Sequence, residues 1–424
     1  MIGGLLSPNL TGHRGSGRLC CFALLSALGN KVFLPDTSQY NESLNSYWSQ
    51  QAASVEPACI FTPETTEDVS IAVQILTVPD LGLLLDANLT PSCPFAVRSG
   101  GHTSFAGAAS IEGGVTVDLR ALNSIELNED LSVASVGAGA KWKDVYSKLD
   151  PLHLAVLGGR AGDIGVGGFT TGGGISYFSP RFGWACDMVL NYQVVLAGGS
   201  IVDAKDVPGL LAALRGGSNN FGIVTRVDLQ TFDQGLVWGG HTINPISTFD
   251  AVIDAFVEIN SADVYDPYAS LITTFGVSQA MVPSLQVPDT VKDIPGIVWS
   301  IVLEPLPPII YKKAPERSSS LDLSDRTKPL VIVLLSATWE EQTDDDLIDK
   351  QAQTLIANID REAHRLNAHD PFIYLNYAAP WQDPIATYGD KSIKRLCEVR
   401  DKVDPSGVFT HNVPGGFKVI CHAR

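Results

Sequence analysis

Three stretches of this 424-residue chain concentrate side chains able to do chemistry. Arg98 to Gly107 reads RSGGHTSFAG and places one imidazole, His102, among small residues directly after an apolar FAV run. A loop histidine can act as base or nucleophile, and it can equally serve to hydrogen-bond a turn. Gly165 to Gly174 reads GVGGFTTGGG. Glycine this dense lets backbone approach a flat or phosphorylated ligand and points N–H groups at negative charge. Its spacing differs from the GxGxxG of a dinucleotide-binding βαβ unit, and no acidic residue follows a strand at the usual distance. Tyr374 to Tyr377 reads YLNY. As a strand it would turn Tyr374 and Asn376 one way and Leu375 and Tyr377 the other. A phenol with a pKa near ~10 needs help to accept a proton at neutral pH, from nearby positive charge or from concerted bond breaking.

Several chemistries are excluded or disfavoured. There is no GxxxxGK[ST] phosphate loop, no HExxH and no GxSxG elbow. Seven cysteines, Cys20, Cys21, Cys59, Cys93, Cys186, Cys397 and Cys421, form no CxxC pair, so no zinc, iron–sulfur or other metal site is expected, and their odd number leaves a thiol unpaired. Lys and Arg number 29 against 46 Asp and Glu, a net charge of −17, which argues against nucleic acid as a partner. No window reaches the roughly eighteen uninterrupted apolar residues of a membrane span. The best candidate, LCCFALLSALG, follows Arg14 and Arg18 and loosely imitates a secretory signal, but reads as a buried helix ending at Gly29. Sequons at Asn9, Asn41 and Asn88 are candidate glycosylation sites and hint at secretion without establishing it.

These residues must be held by a chain longer than one core usually serves. From about 55 to 230, short β-branched runs (ACIFTP, FAVRSGG, GVTVDL, SVASVGAGA, QVVLAGGSIVDA, GIVTRVDL) alternate with glycine-rich turns, and TTEDVSIAVQILTV reads as a Thr-capped helix. This mixture indicates an α+β fold. From about 237 to 370, runs such as WGGHTI, ASLITTF, GIVWSIVL and LVIVLLSATW read as strands of an antiparallel sheet covered by the amphipathic helices FDAVIDAFVEIN and DDDLIDKQAQTLIANIDREAHRL. The polar segment YKKAPERSSSLDLSDRTK reads as a surface loop, and the tail from about 371 as turn-rich.

RSGGHTSFAG, GVGGFTTGGGIS, RGGSNNFGIVTRVDL and the tail YLNYAAPW…DPSGVF…PGGFK occur in this order, and together they resemble the berberine bridge enzyme-like flavoproteins of the vanillyl-alcohol oxidase superfamily, fungal members above all. The resemblance covers nearly the whole chain. It implies a two-subdomain PCMH-type FAD-binding domain over 55–232 after an N-terminal segment 1–54, a substrate domain over 233–370 whose sheet covers the flavin, and a C-terminal segment 371–424 that completes the FAD site. His102 would be bonded to the flavin 8α-methyl carbon, since an imidazole nitrogen can add to the electrophilic methylene of a flavin quinone methide. The implied cofactor-binding residues are Arg98, Ser99, Gly100, Gly101, His102, Thr103, Ser104 and Gly107, then Gly162, Asp163, Gly165, Gly167, Gly168, Gly172 and Gly173, and finally Gly222, Val224 and Asn376.

Many relatives carry a second link, from a cysteine to flavin C6. The matching position here is Ala161, which implies a single covalent link. Ile164 matches a residue that influences dioxygen access to the reduced flavin. The resemblance makes Tyr377 the leading catalytic base, with Asn376 beside the flavin; plant-type relatives use a glutamate on a substrate-domain strand, but Glu304, at the end of SIVLEPLPP, reads as a surface carboxylate. Asp203–Leu214 lacks the aromatic helix of relatives and so loses packing beside the glycine-rich turn. The activity implied is hydride removal from a small organic substrate, a specialised metabolite, by a monomeric enzyme that passes electrons to dioxygen. Non-redox cyclisation and carbohydrate oxidation are the alternatives. Relatives are often secreted, and a disulfide from Cys20 or Cys21 to Cys59 would fit that setting.

Overall fold

The computed structural model describes residues 13–77, 93–261, 265–278, 290–313 and 318–421. Of the three sequons, Asn9 and Asn88 lie outside these residues, and Asn41 is exposed on the helix Ser38–Leu44. The apolar LCCFALLSALG stretch lies in helix α1 (His13–Leu28), which stops where Gly29 adopts a left-handed φ of +54°. Its buried face carries Cys20 and Cys21, bonded to Cys93 and Cys59. Cys397 pairs with Cys421, leaving Cys186 as the buried free thiol. Helix α2 (Thr66–Leu76) begins with a reciprocal capping box in which the Thr65 hydroxyl accepts from Asp68 N and the Asp68 carboxylate accepts from Thr65 N.

Two larger sheets, besides a two-stranded pairing of Leu154–Ala155 with Phe232–Asp233, form the first part of the chain. Strands β1 (Val32–Phe33), β2 (Cys59–Phe61), β3 (Phe95–Arg98) and β4 (Val115–Asp118) lie in the order β1-β2-β4-β3, with β2 and β3 both parallel to β4. Their near-continuous Val, Ile and Phe runs fit a sheet covered on both faces. The second sheet is antiparallel: β5 (Ile125–Leu127), β6 (Val133–Gly137), β7 (Val189–Val195), β8 (Ile201–Asp203) and β9 (Ile223–Gln230), in the order β5-β6-β9-β7-β8. Helix α3 (Trp142–Leu149) buries Trp142 and Val145 against this core, and the short helix α4 (Val166–Thr171) carries the glycine-rich motif. The altered segment before Gly216 is repaired with aliphatic side chains: Leu210 and Leu214 are fully buried in the main core.

The third sheet is a meander of β10 (Thr273–Ser278), β11 (Val298–Leu306) and β12 (Leu330–Thr338), all antiparallel. Trp299 pairs across strands with Ala337 and packs on Ile348 and Ala352 of a long helix, closing a separate small core. Helix α5 (Phe249–Ile259) precedes this meander, helix α6 (Asp345–Arg365) covers it, and helix α7 (Asp390–Val403) lies in the tail. Three expectations fail. WGGHTI is not a strand: it runs as open chain with Trp238 97% exposed, and no neighbour among the described residues supplies a ladder. The polar segment after Lys312 is only partly surface, since Ser320, Leu321 and Leu323 are buried and Ser320 N donates to Arg215 O at 2.8 Å. The tail, read as turn-rich, contains the fourteen-residue α7.

Hydrogen bonds sew the tail back onto the first part of the chain. Asn219 Nδ2 donates to Gly415 O at 3.1 Å, and Asn220 Nδ2 to Phe417 O at 2.9 Å. Phe95 N, just ahead of the His102 loop, donates to Asn412 O at 2.7 Å.

Candidate active site

A cleft of about 2420 Å³ runs between the two glycine-rich loops, the third sheet and the tail. Pockets for one small molecule are typically about 300–1,000 Å³, so this space suits a large cofactor together with a substrate.

One wall is backbone. Gly100 and Gly165 approach so closely that a Cβ on Gly165 would lie 2.3 Å from Gly100 N, and one on Gly100 would lie 2.5 Å from Gly165 N. Ser99 Oγ ties this contact down by donating to Ala138 O at 2.6 Å. Ser99, Gly100, Gly101, His102, Thr103 and Ser104 line the cleft on one side. Gly165, Gly167 and Gly168 line the other, with Gly222 and Val224 beyond them.

His102 stacks on Trp48, with ring centroids 4.4 Å apart and planes 16° from parallel. Burial, aided by the nearby Lys141 ammonium, holds its imidazole below the usual range despite Asp163. The neutral ring keeps a lone pair available at neutral pH. Trp48 escaped the sequence reading, because only the fold brings it to the loop: Trp48 N donates to Gly101 O at 3.0 Å.

Other assigned residues sit elsewhere. The Arg98 side chain is fully buried beneath the loop, over the Tyr47 ring at 3.8 Å, donating to Ser43 O at 2.6 Å and Ser46 Oγ at 2.8 Å. It anchors the segment carrying Trp48 and has no face on the cleft. Gly107 supports the tail, where a Cβ on Gly415 would lie 2.2 Å from its carbonyl oxygen. Gly162 O accepts from Lys143 N at 2.9 Å, and Asp163 is an exposed partner of Lys143 at 2.8 Å and Lys141 at 3.4 Å. Gly172 makes room for Asn376, whose Oδ1 would be 1.9 Å from an added Cβ, and Gly173 packs on Leu321.

The opposite wall holds the ionisable groups. YLNY is not a strand: Leu375–Tyr377 is a 3₁₀ turn closed by Tyr377 N donating to Tyr374 O at 3.0 Å. Residues three apart eclipse in such a turn, so Tyr374 and Tyr377 meet edge-on at 4.8 Å instead of pointing apart. Asn376 Nδ2 donates to Phe169 O and to Tyr374 Oη, both at 3.1 Å, which locks the turn onto α4.

Glu304 corrects the surface reading. It is 3% exposed, because it falls in the alternating set Val302, Glu304, Leu306 that β11 turns to the cleft while Trp299 faces the small core. Tyr377 Oη donates to Glu304 Oε1 at 2.9 Å. Arg160 Nη2 donates to Glu304 Oε1 at 2.8 Å and Oε2 at 3.0 Å and also to Tyr377 Oη. Burial drives the Tyr377 phenol well above its ordinary range; Arg160 opposes that and Glu304 reinforces it. Burial also lowers the Arg160 guanidinium, but Tyr377 and Glu304 outweigh it and the net shift is upward. The result is a neutral phenol beside an ion pair. Ala161 and Ile164 line the cleft next to Arg160.

Residues 57–205 match the family described as FAD binding domain. FAD-dependent monooxygenase drtC of Aspergillus calidoustus is 33% identical over 94% of this chain and 90% of its own length. The chain belongs to the FAD-dependent oxidoreductases that include this fungal monooxygenase. Oligopeptidase PhomG' of Diaporthe leptostromiformis is 37% identical over 94% of this chain, which spans 37% of its length. Glucooligosaccharide oxidase of Acremonium strictum, a protein with 6-S-cysteinyl, 8α-N1-histidyl FAD, shares the fold with a TM-score of 0.70 at 17% identity, over 95% of this chain and all of that one. The α+β fold is thus shared with PCMH-type FAD oxidases. A backbone cradle without space for a Cβ, a neutral imidazole on the cleft and a volume for two ligands fit FAD in this chain.

Proposed function

We propose that this flavoprotein oxidises a C–H bond that bears a hydroxyl or amine on a small organic molecule held between the third sheet and the His102 loop. The observation that carries the reading is the hydrogen-bonded trio of Arg160, Glu304 and Tyr377 facing that space. Bound FAD would supply a two-electron acceptor for hydride. The protein's own share is the proton. The substrate hydroxyl gives its proton to Tyr377 Oη while Tyr377 passes its own proton to Glu304 Oε1, so no free tyrosinate is required; Glu304 ends as a neutral acid and Arg160 remains as the positive charge of the trio. Arg160 holds the Glu304 carboxylate and the phenol oxygen in register, and Asn376 fixes the turn that carries Tyr377.

His102, stacked on Trp48 and neutral, would be the attachment point of the cofactor. Ala161 on the same cleft has no nucleophile, which supports attachment through one bond only. We further assign dioxygen as the acceptor that regenerates the oxidised enzyme, with the chain acting as a monomer.

The test is anaerobic mixing of the holoenzyme with panels of hydroxylated aromatics, amines and sugars, followed by admission of air. Loss of the oxidised-flavin absorption band on mixing, and one peroxide released per turnover in air, are expected. Turnover without any bleaching would replace the reading with non-redox cyclisation, and labelled dioxygen appearing in the product would replace it with monooxygenation.

A further inference from the structure

Asp360, His364 and His369 bring one ligand atom each to within 4.8 Å of the others, outside the motifs that the sequence presents. Asp360 and His364 are four apart on one face of α6. The third residue is delivered by a hydrogen-bonded turn. Asn367 takes a left-handed φ of +54°, Asn367 N donates to His364 O at 3.1 Å and Ala368 N to Ala363 O at 2.9 Å, which together make a Schellman stop. That turn folds His369 back over His364, with ring centroids 3.7 Å apart. The Asp360 carboxylate reaches both rings, Oδ1 at 3.0 Å from His369 Nε2 and Oδ2 at 3.9 Å from His364 Nε2.

Two imidazole nitrogens and one carboxylate oxygen form the donor set of a borderline divalent ion such as Zn²⁺, Ni²⁺ or Cu²⁺; Mg²⁺ and Ca²⁺ prefer oxygen alone. Ligand bonds of roughly 2.0–2.2 Å place ligand atoms roughly 3–3.5 Å from each other, so side-chain rotations at exposed positions suffice to close the set. The His364 side chain is 61% exposed and is free to make that rotation. Asp360 and His369 both line the cleft, so the ion's remaining positions would open toward it.

We infer that Asp360, His364 and His369 bind one divalent transition-metal ion on the exposed side of the cleft. The ion ties the end of α6 to the strap that runs through Asp370 and Phe372 into Tyr374. This assignment stands apart from the redox reading, since neither Tyr377 nor His102 takes part in it.

Isothermal titration of tag-free holoenzyme with Zn²⁺, and separately with Mg²⁺, tests it. Zn²⁺ binds at one per chain and raises the unfolding temperature, whereas Mg²⁺ gives no heat. His364→Ala, His369→Ala and Asp360→Asn each weaken Zn²⁺ binding by tenfold or more. Absence of Zn²⁺ binding, or binding of unchanged affinity in the His364→Ala/His369→Ala variant, overturns the proposal. His364→Gln, which keeps the exposed helix surface polar, repeats the test should the alanine variant fold poorly.

Discussion

Tyr377 and Glu304 lie 73 positions apart in the chain and share one 2.9 Å hydrogen bond in which the phenol is the donor. Arg160 donates to both, and in the proposed reaction the phenol oxygen is the point of the trio at which a substrate hydroxyl hands over its proton.

Tyr377→Phe removes that point of transfer while leaving the ring's packing. The expected loss in the rate of flavin bleaching is on the order of 10²–10⁴. Glu304→Gln should bring a similar loss, because an amide accepts the hydrogen bond but not the proton. The double variant is expected to be no slower than either single one, as for groups that act as a unit. Anaerobic stopped-flow on the three variants checks this, and a Tyr377→Phe enzyme of unaltered bleaching rate would remove the phenol from the proton path.

His102→Ala should release the flavin. Wild-type protein, denatured and passed through a desalting column, is expected to keep flavin fluorescence with the polypeptide. The variant is expected to lose it. Peptide mass spectrometry should find flavin on the peptide carrying His102 and none on the peptide carrying Ala161. Flavin on any other residue would refute a single histidyl bond.

Gly165→Ala tests the cradle. Its Cβ would meet backbone, the Gly100 nitrogen at 2.3 Å, which cannot rotate away. A loss of about 1–3 kcal/mol in urea unfolding of the apoprotein is expected. Gly168→Ala is the control: nothing lies within 4 Å of its added Cβ, and its helical position favours alanine by up to about 1 kcal/mol. Equal effects of the two substitutions would mean that the close approach at Gly100 is not what demands glycine.

The contrast between His102 and Glu304 shows which parts of the site were legible in the sequence. The His102 loop and the Gly165 run announce themselves, because glycine at that density has few structural uses apart from close backbone approach. The helix from Thr66 was equally readable, its capping box being a local arrangement of Thr65 and Asp68. Glu304 was not. Strand alternation groups it with Val302 and Leu306, but which face of β11 meets the cleft depends on Trp299 packing under α6. YLNY failed for a related reason: four residues suit a strand or a 3₁₀ turn equally, and no pairing neighbour among the described residues holds it as a strand. Trp48 and Arg160 depend on contacts between distant segments that no local pattern encodes.

Alkaline pH should weaken the fold through its buried phenols. Burial raises Tyr47 and Tyr311 to about 12, and pushes Tyr192, Tyr374, Tyr377 and Tyr388 higher still. In the unfolded chain these groups ionise near ~10. Below that pH both states are protonated and the phenols make no difference. Above it the unfolded chain gives up protons that the folded chain retains, so the unfolded state binds fewer protons and stability falls as pH rises. Urea midpoints are therefore expected to hold steady from about pH 8 to about pH 9 and to drop steeply above about pH 10. Tyrosinate absorbance from the buried set should appear together with loss of far-UV circular dichroism. Full ionisation of the tyrosines at about pH 10.5 with the circular dichroism intact would mean that these phenols, Tyr377 among them, are not held neutral by burial.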